Sequence, residues 1–418
     1  SQFEEVTDVN ALDYAQIARH VYRGEGFTTS FIKPISLMYN QSIENHPELT
    51  HPPLHVLWTA GMMRLLGPND KAVAHSSGLA FLLGVPVIYL LAWHIFDRRT
   101  ALLASALYGT NIAYLGYAIS GLEAPLLTTL VTLLLLLLYL AGQNERREGL
   151  WVVLSGIVLG LVYLTKEIWI LAALPAVVYL WKLRPEGRLR RPLLLLALAL
   201  VVSSPWLVRN YRLTGNPFFT LRYIELFEQT KRYPGNSLHR TFDQHLPNFF
   251  AFAAQNPRAI AQKIQDGMLM FYRTVPAIAG LYVTPLFLVA ILVALGNRNF
   301  ELWRYLIYAC AIIVAFGLSL LTAAPRLLIP IGPAVLVIAT GYFWRLLDQR
   351  LEPIPVPLRG RTISLAVGLL LLLHFVPLGA TLMPEGLEAA APVDTVLSAA
   401  VQLNDQSSGL VVTDVPWL

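Results

Sequence analysis

The chain has 418 residues, 56% hydrophobic and only 14% charged, which is too apolar for a soluble domain of ordinary composition. Its formal charge of +5 sits in short basic clusters between apolar runs, as in the connections of a polytopic membrane protein and unlike a nucleic-acid-binding surface. The single cysteine, Cys310, excludes an intramolecular disulfide and a cysteine-built zinc site.

The first element is the charged and aromatic stretch Thr7 to Phe27. With Asp8 as its cap, a helix here places Ala11, Tyr14, Ala18 and Val21 on one face and Asp13, Gln16, His20 and Arg23 on another. That pattern predicts an interfacial helix whose apolar face rests on a membrane or a protein surface. Residues 53–66 are apolar but short, and read as a second interfacial or re-entrant helix. About ten spanning helices follow, near 72–96, 101–118, 120–141, 150–165, 168–182, 192–208, 278–296, 303–321, 326–347 and 362–380. Three segments result: a first extracytoplasmic loop over 1–70, a transmembrane domain over 71–380 that includes a long loop at 209–277, and an extracytoplasmic C-terminal region from 381 to 418. The chain begins at Ser1 without a methionine and ends just after GLVVTDV, an alternating stretch that reads as an opening strand. A preceding membrane helix and a following soluble domain are therefore expected.

Orientation follows from the basic residues. Arg98–Arg99, Arg146–Arg147, Lys182 to Arg191, Arg298 with Arg304, and Arg345 to Arg361 occupy alternate connections, which places those connections in the cytoplasm. Residues 1–70, the turn at Lys166, the loop 209–277, the turn at Arg326 and the tail then share the extracytoplasmic side. Asp8, Asp13, His46, His51, Glu123, Lys166, Glu167, Arg209, Asn210 and Arg326 gather at that boundary, and ionisable groups next to hydrocarbon are either paired or functional.

Each has a bland reading beside a chemical one. Lys166 in LTKEIW is a snorkelling lysine or a phosphate contact. Arg209 in PWLVRNY is an interfacial anchor or a bidentate phosphate partner. Arg326 stands almost alone between apolar runs and must reach water, a lipid phosphate or a carboxylate. Asp8 is a helix cap or an acid of the site. His46 and His51, five apart with Pro47 between, do not form a helical metal pair. With a carboxylate they leave a divalent metal open as the only cofactor in view. No Gly-rich phosphate loop, zinc motif or nucleophile elbow is present.

The pieces LDYAQIARHVYRGEGF, HPPL at 51–54, SGLEAPLL at 120–127, LTKEIWILAALP at 164–175, PWLVRNYRLTGNPFF at 205–219 and PRLLIPIGPAVLV at 325–337 resemble, in order, the polyprenyl-phosphate-sugar-dependent membrane glycosyltransferases of the C-type fold. The branch most resembled holds the protein O-mannosyltransferases and the lipid A aminoarabinose transferase. The resemblance implies an all-α polytopic protein of a bacterial cell membrane with its active face extracytoplasmic. It also implies transfer of a hexose or pentose from a polyprenyl-phosphate carrier to a lipid, glycan or protein acceptor by inverting single displacement. An aspartate of the first extracytoplasmic loop, Asp8 or Asp13, would be the base, and Lys166, Arg209 and Arg326 would hold the carrier phosphate. Tyr14, His51, Glu123, Glu167 and Asn210 would complete the site. Family members carry an acid three or four positions before the tyrosine of the first helix, where this chain has Asn10 and Ala11. Asp8 and Asp13 flank that gap, and Asp8, reaching from the cap, is slightly preferred. The missing acid also supports a second reading, a catalytically silent subunit that binds lipid within a larger membrane complex. A transporter ranks last, because the spans carry few polar groups away from their ends.

Overall fold

The computed structural model describes residues 6, 8–242, 246–293, 298–352 and 355–381; the tail beyond 381, read above as opening a further domain, lies outside them. Fifteen α-helices run through the described residues: α1 Val9–Arg23, α2 Pro53–Leu66, α3 Asp70–Ile95, α4 Arg98–Gly109, α5 Ile112–Ala118, α6 Ala124–Gln143, α7 Glu148–Thr165, α8 Ala173–Leu183, α9 Arg190–Thr214, α10 Phe249–Gln255, α11 Pro257–Ala279, α12 Thr284–Leu292, α13 Arg298–Leu320, α14 Gly332–Leu351 and α15 Val356–Thr381. Among the described residues seven helical segments are long and apolar enough to cross a membrane: Asp70–Ile95, Ala124–Gln143, Glu145–Thr165, Arg190–Thr214, Arg298–Leu320, Pro325–Leu351 and Leu358–Val376.

The other three expected spans are broken, and each break has a local cause. The run 101–118 stops at Gly109 and restarts where the Asn111 side chain accepts from the Ala113 amide at 2.9 Å. The run 168–182 opens as a tight 3₁₀ segment, Glu167–Ala172, that leaves α8 only 11 residues. The run 278–296 is cut by Gly280, whose φ of 88° sits in the left-handed region. Hydropathy counts apolar residues and is blind to such interruptions.

The α6 helix and the Pro325–Leu351 segment form the buried centre, while Leu358–Val376 is peripheral. Indole groups tie the centre together: Trp303 donates to the Leu135 carbonyl at 2.9 Å and Trp169 to the Leu327 carbonyl at 3.0 Å. Close helix contact comes from Gly156 and Gly160 on α7. A Cβ on Gly156 would fall 2.8 Å from the Leu195 carbonyl of α9, and one on Gly160 would fall 2.7 Å from Val202; small residues four apart let backbones approach.

The expected basic connections do meet at one end of the bundle. Arg99 bonds Asp348 at 3.1 Å, Arg184 lies 3.4 Å from Glu145, and Asn299 donates to the Gly142 carbonyl at 2.9 Å. At the other end, Asp8 caps α1 by accepting from the Asn10 and Ala11 amides at 2.8 and 3.2 Å. Gly24, at φ 81°, closes the helix. Ala11, Tyr14, Ala15, Ile17 and Ala18 bury against Val56, Ala60 and Met63 of α2 and Ala72 and Val73 of α3. The apolar face of α1 thus rests on protein. Its other face is left to point at the space between the loops.

Candidate active site

That space is a cavity of about 380 Å³. The α1 helix contributes Asp13, and the α1–α2 connection contributes Lys33 and His51. Lys166 comes from the turn after α7, and Arg222, Glu225, His239 and Arg240 come from the long loop after α9. Thr322 and Arg326 come from the connection after α13. Five cationic side chains line the cavity against two carboxylates.

The cations are built in at a cost. Lys166 is 3% exposed and lies 3.2 Å from Glu123, which is wholly buried and also stands 3.9 Å from Arg326. Burial would push the Glu123 carboxyl up, but Lys166 and Arg326 hold it well below the usual carboxylate range. Glu123 is set by Gly121, in the left-handed region at φ 75°, where a Cβ would fall 2.6 Å from Val73. The loop is further anchored by His55, which bonds the Gly121 carbonyl at 2.9 Å, and by the Ser77 hydroxyl, which donates to the Leu122 carbonyl at 2.9 Å.

Arg222 makes a two-pronged pair with Glu225 at 2.8 and 3.1 Å and stands 3.8 Å from Glu167. The second Glu225 oxygen also accepts from the Thr322 amide at 3.1 Å, joining the long loop to the strap that carries Arg326. Burial again pushes the Glu225 carboxyl up, and Arg222 more than offsets it, bringing the group to about 2. Lys166 moves the other way. Burial first, then the neighbouring Arg222, pull its ammonium down despite Glu123 and Glu167. Burial is the main cause of that depression, and an anion entering the cavity would favour the charged form.

Asp13 occupies the floor at 8% exposure. One oxygen accepts from His51 Nε2 at 2.9 Å and lies 3.7 Å from Lys33; the other accepts from Gln16 at 3.0 Å. Burial works against the charged form, but Lys33 and then His51 overcome it and keep the carboxyl ionised well below its ordinary range. Lys33 is itself steadied by Thr50 at 2.9 Å.

The structure therefore brings Asp13, His51, Lys166 and Arg326 together, with Glu123 and Glu167 directly behind the cations. Other expected site residues lie elsewhere. Asp8 is not in the lining and caps α1, whereas Asp13 lies in it. Arg209 is also not in the lining. Its guanidinium donates to the Phe27 and Glu48 carbonyls at 3.1 and 2.8 Å and lies over the Trp206 ring at 4.6 Å. Asn210 donates to the Phe219 carbonyl at 3.0 Å, a loop fastening. Tyr14 is buried beneath the cavity, its ring 4.4 Å from His51. His46 gives both ring nitrogens to Ser36 and Ser42 at 2.8 and 2.9 Å and does not converge with His51. Among the described residues no group of three potential metal ligands is found.

Sequence reasoning missed Lys33, Arg222, Glu225 and His239. The Arg222–Glu225 spacing of three is a weak signal in itself, and among the described residues the long loop that holds it has no spanning helix to fix its place.

A helical membrane-embedded bundle, with an acid-floored and cation-walled cavity at one end, defines the class. Residues 50–208 match the model of the family described as dolichyl-phosphate-mannose-protein mannosyltransferase. Among solved structures, ArnT from Cupriavidus metallidurans in the apo state is similar at a TM-score of 0.56 and 19% identity, over 97% of this chain and 68% of that one. The same protein bound to undecaprenyl phosphate gives 0.57 and 21%, over 97% and 69%. The archaeal oligosaccharyltransferase AglB from Archaeoglobus fulgidus, in complex with an inhibitory peptide and a dolichol-phosphate, gives 0.55 and 12%, over 100% of this chain and 58% of that one. No protein of curated function matches the chain in sequence. The chain has the C-type glycosyltransferase fold, and the resemblance carried by its ordered motifs is borne out.

Proposed function

We propose that the protein is an integral-membrane glycosyltransferase that moves a sugar from a polyprenyl-phosphate carrier to an acceptor on the extracytoplasmic face, with inversion. The observation that carries this reading is the convergence of Lys166, Arg222 and Arg326 with Asp13 on one cavity, at the end of the bundle opposite the Arg99–Asp348 and Arg184–Glu145 contacts. The reacting phosphodiester carries one negative charge and departs as a phosphomonoester with two, so cations fixed at the leaving oxygens stabilise the transition state more than the ground state. Such an anion would favour the charged form of the Lys166 ammonium, which burial depresses. Asp13 is the carboxylate that meets the acceptor hydroxyl, and His51 and Gln16 fix its direction. The proposed limits are the first extracytoplasmic loop 1–70, the transmembrane domain 71–380 and the region beyond 381. The undecaprenyl phosphate of the similar ArnT structure and the dolichol-phosphate of AglB support a carrier of this chemistry.

The test is sugar release from radiolabelled polyprenyl-phosphate hexoses and pentoses by the purified protein, with Asp13→Asn, Lys166→Met and Arg326→Met as comparisons. Turnover that all three variants abolish is expected. Full activity in all of them would remove the proposed site. The silent-subunit reading retains one observation in its favour: Asn10, where the family carries an acid, lines this cavity. It predicts carrier binding without turnover, and fixed-ratio copurification with other membrane subunits.

A further inference from the structure

Asp13 has what a general base does not want. Three donors or cations surround it, and its carboxyl is held far from the neutral range in which proton abstraction is efficient. It can orient a hydroxyl, but it is a poor resting place for the proton.

A better one lies on the same cavity. After the 221–226 turn the chain folds back on itself, with the Gln229 amide bonded to the Gly235 carbonyl and the Thr230 amide to the Tyr233 carbonyl, each at 3.2 Å. This returns residues 238–240 to Glu228, which is 1% exposed. One Glu228 oxygen accepts from the Leu238 amide at 3.0 Å, the His239 amide at 3.4 Å and His239 Nδ1 at 3.1 Å. Two amide donors already define that oxygen as an acceptor, so Nδ1 carries the hydrogen. In the neutral imidazole that tautomer leaves Nε2 with its lone pair. A carboxylate that fixes one imidazole nitrogen so that the other can take a proton is the arrangement of hydrolase triads. The Glu228 carbonyl is fastened in turn by the buried Lys263 ammonium at 2.9 Å, which also reaches the Glu225 carbonyl. His239 lines the cavity with a side chain 21% exposed, open enough to meet an acceptor.

Resting on the glycosyltransferase reading, we propose that His239, held by Glu228, is the general base of the reaction. The acceptor O–H bond breaks as its proton passes to Nε2. The hydroxyl oxygen bonds to the anomeric carbon, and the anomeric carbon–phosphate oxygen bond breaks. Its electron pair leaves with the carrier phosphate onto Lys166, Arg222 and Arg326. The imidazolium faces Glu228 until it returns the proton to water. Asp13 accepts a hydrogen bond from the hydroxyl and directs it, and both groups are needed.

The experiment uses the whole protein in native-lipid nanodiscs, with a labelled polyprenyl-phosphate sugar that the wild type turns over, and undecaprenyl phosphate as the binding probe. His239→Gly is expected to bind undecaprenyl phosphate within about threefold of wild type and to lose about 10²–10⁴-fold in transfer rate. Added imidazole should restore at least tenfold of it. His239→Gln, which keeps a donor toward Glu228, should bind normally, transfer as poorly and gain nothing from imidazole. A His239→Gly or His239→Gln protein that keeps a tenth of the wild-type rate overturns the assignment. So does a His239→Gly loss that imidazole leaves unchanged while carrier binding persists. If the wild type binds the carrier and turns over no donor, the glycosyltransferase reading itself falls, and the base with it.

Discussion

Replacing Lys166 by Met separates the two duties of the buried ion cluster, holding Glu123 and holding an anion. The ammonium is 3.2 Å from a carboxylate with no exposure. Removing one partner of a buried pair typically costs about 3–5 kcal/mol, and Arg326, at 3.9 Å, offsets only part of that. A charge-assisted hydrogen bond to a phosphate contributes about 1.5–3 kcal/mol. At tenfold for every ~1.4 kcal/mol, Lys166→Met weakens carrier-phosphate binding about 10- to 140-fold. Adding Glu123→Gln removes the stranded charge, so the double variant regains thermal stability while its affinity for undecaprenyl phosphate stays low. The sign with pH is also fixed. The depressed Glu123 carboxyl stabilises the fold above the ordinary carboxylate pKa, and the contribution is lost as pH falls through its lower folded value. With Lys166 gone that folded value climbs, so the stability gap between wild type and Lys166→Met narrows on acidification. Calorimetric titration with undecaprenyl phosphate and thermal unfolding between pH 4 and 8 measure both duties. Binding within about threefold of wild type in Lys166→Met, or affinity restored by Glu123→Gln, would refute the reasoning.

Three further outcomes follow from the geometry. Asp8→Ala loses a cap and costs about 1 kcal/mol of stability with turnover per folded molecule intact, whereas Asp13→Asn abolishes sugar transfer; thermal melts and donor turnover tell them apart. Arg209→Leu gives up two charged hydrogen bonds and lowers stability by about 3–6 kcal/mol, yet carrier affinity in the folded fraction stays within about threefold. Gly121→Ala forces a left-handed alanine, costing about 1–2 kcal/mol, against Val73 at 2.6 Å. It should lower both melting temperature and carrier affinity, because Gly121 sets Glu123.

What the sequence revealed was mostly local or periodic. Asp8 could be read as a cap because capping is decided within four residues, and α1, α2 and seven long spans could be read from length and spacing. The alternation of basic connections predicted which loops meet, and Arg99–Asp348 at one end and the Asp13–Lys166–Arg326 cavity at the other agree with it. Long-range pairing escaped it. Helical spacing ranks Asp13 behind Asp8, and only His51 and Lys33, from a different loop, show that a step of one residue along α1 separates core from cavity. Arg209 and Arg222 are chemically the same residue in the same basic region. One meets backbone carbonyls and the other faces carboxylates in the cavity, and that difference is set by tertiary fold alone.

The central claim is that this cavity receives the carrier phosphate. A density map of the protein with undecaprenyl phosphate tests it most directly. The account predicts phosphate oxygens within hydrogen-bonding reach of Lys166, Arg222 and Arg326, with His239 Nε2 and Asp13 facing the same space. A phosphate bound at Arg209 or on the peripheral helices, with the cavity cations still paired only to Glu123 and Glu225, would contradict it.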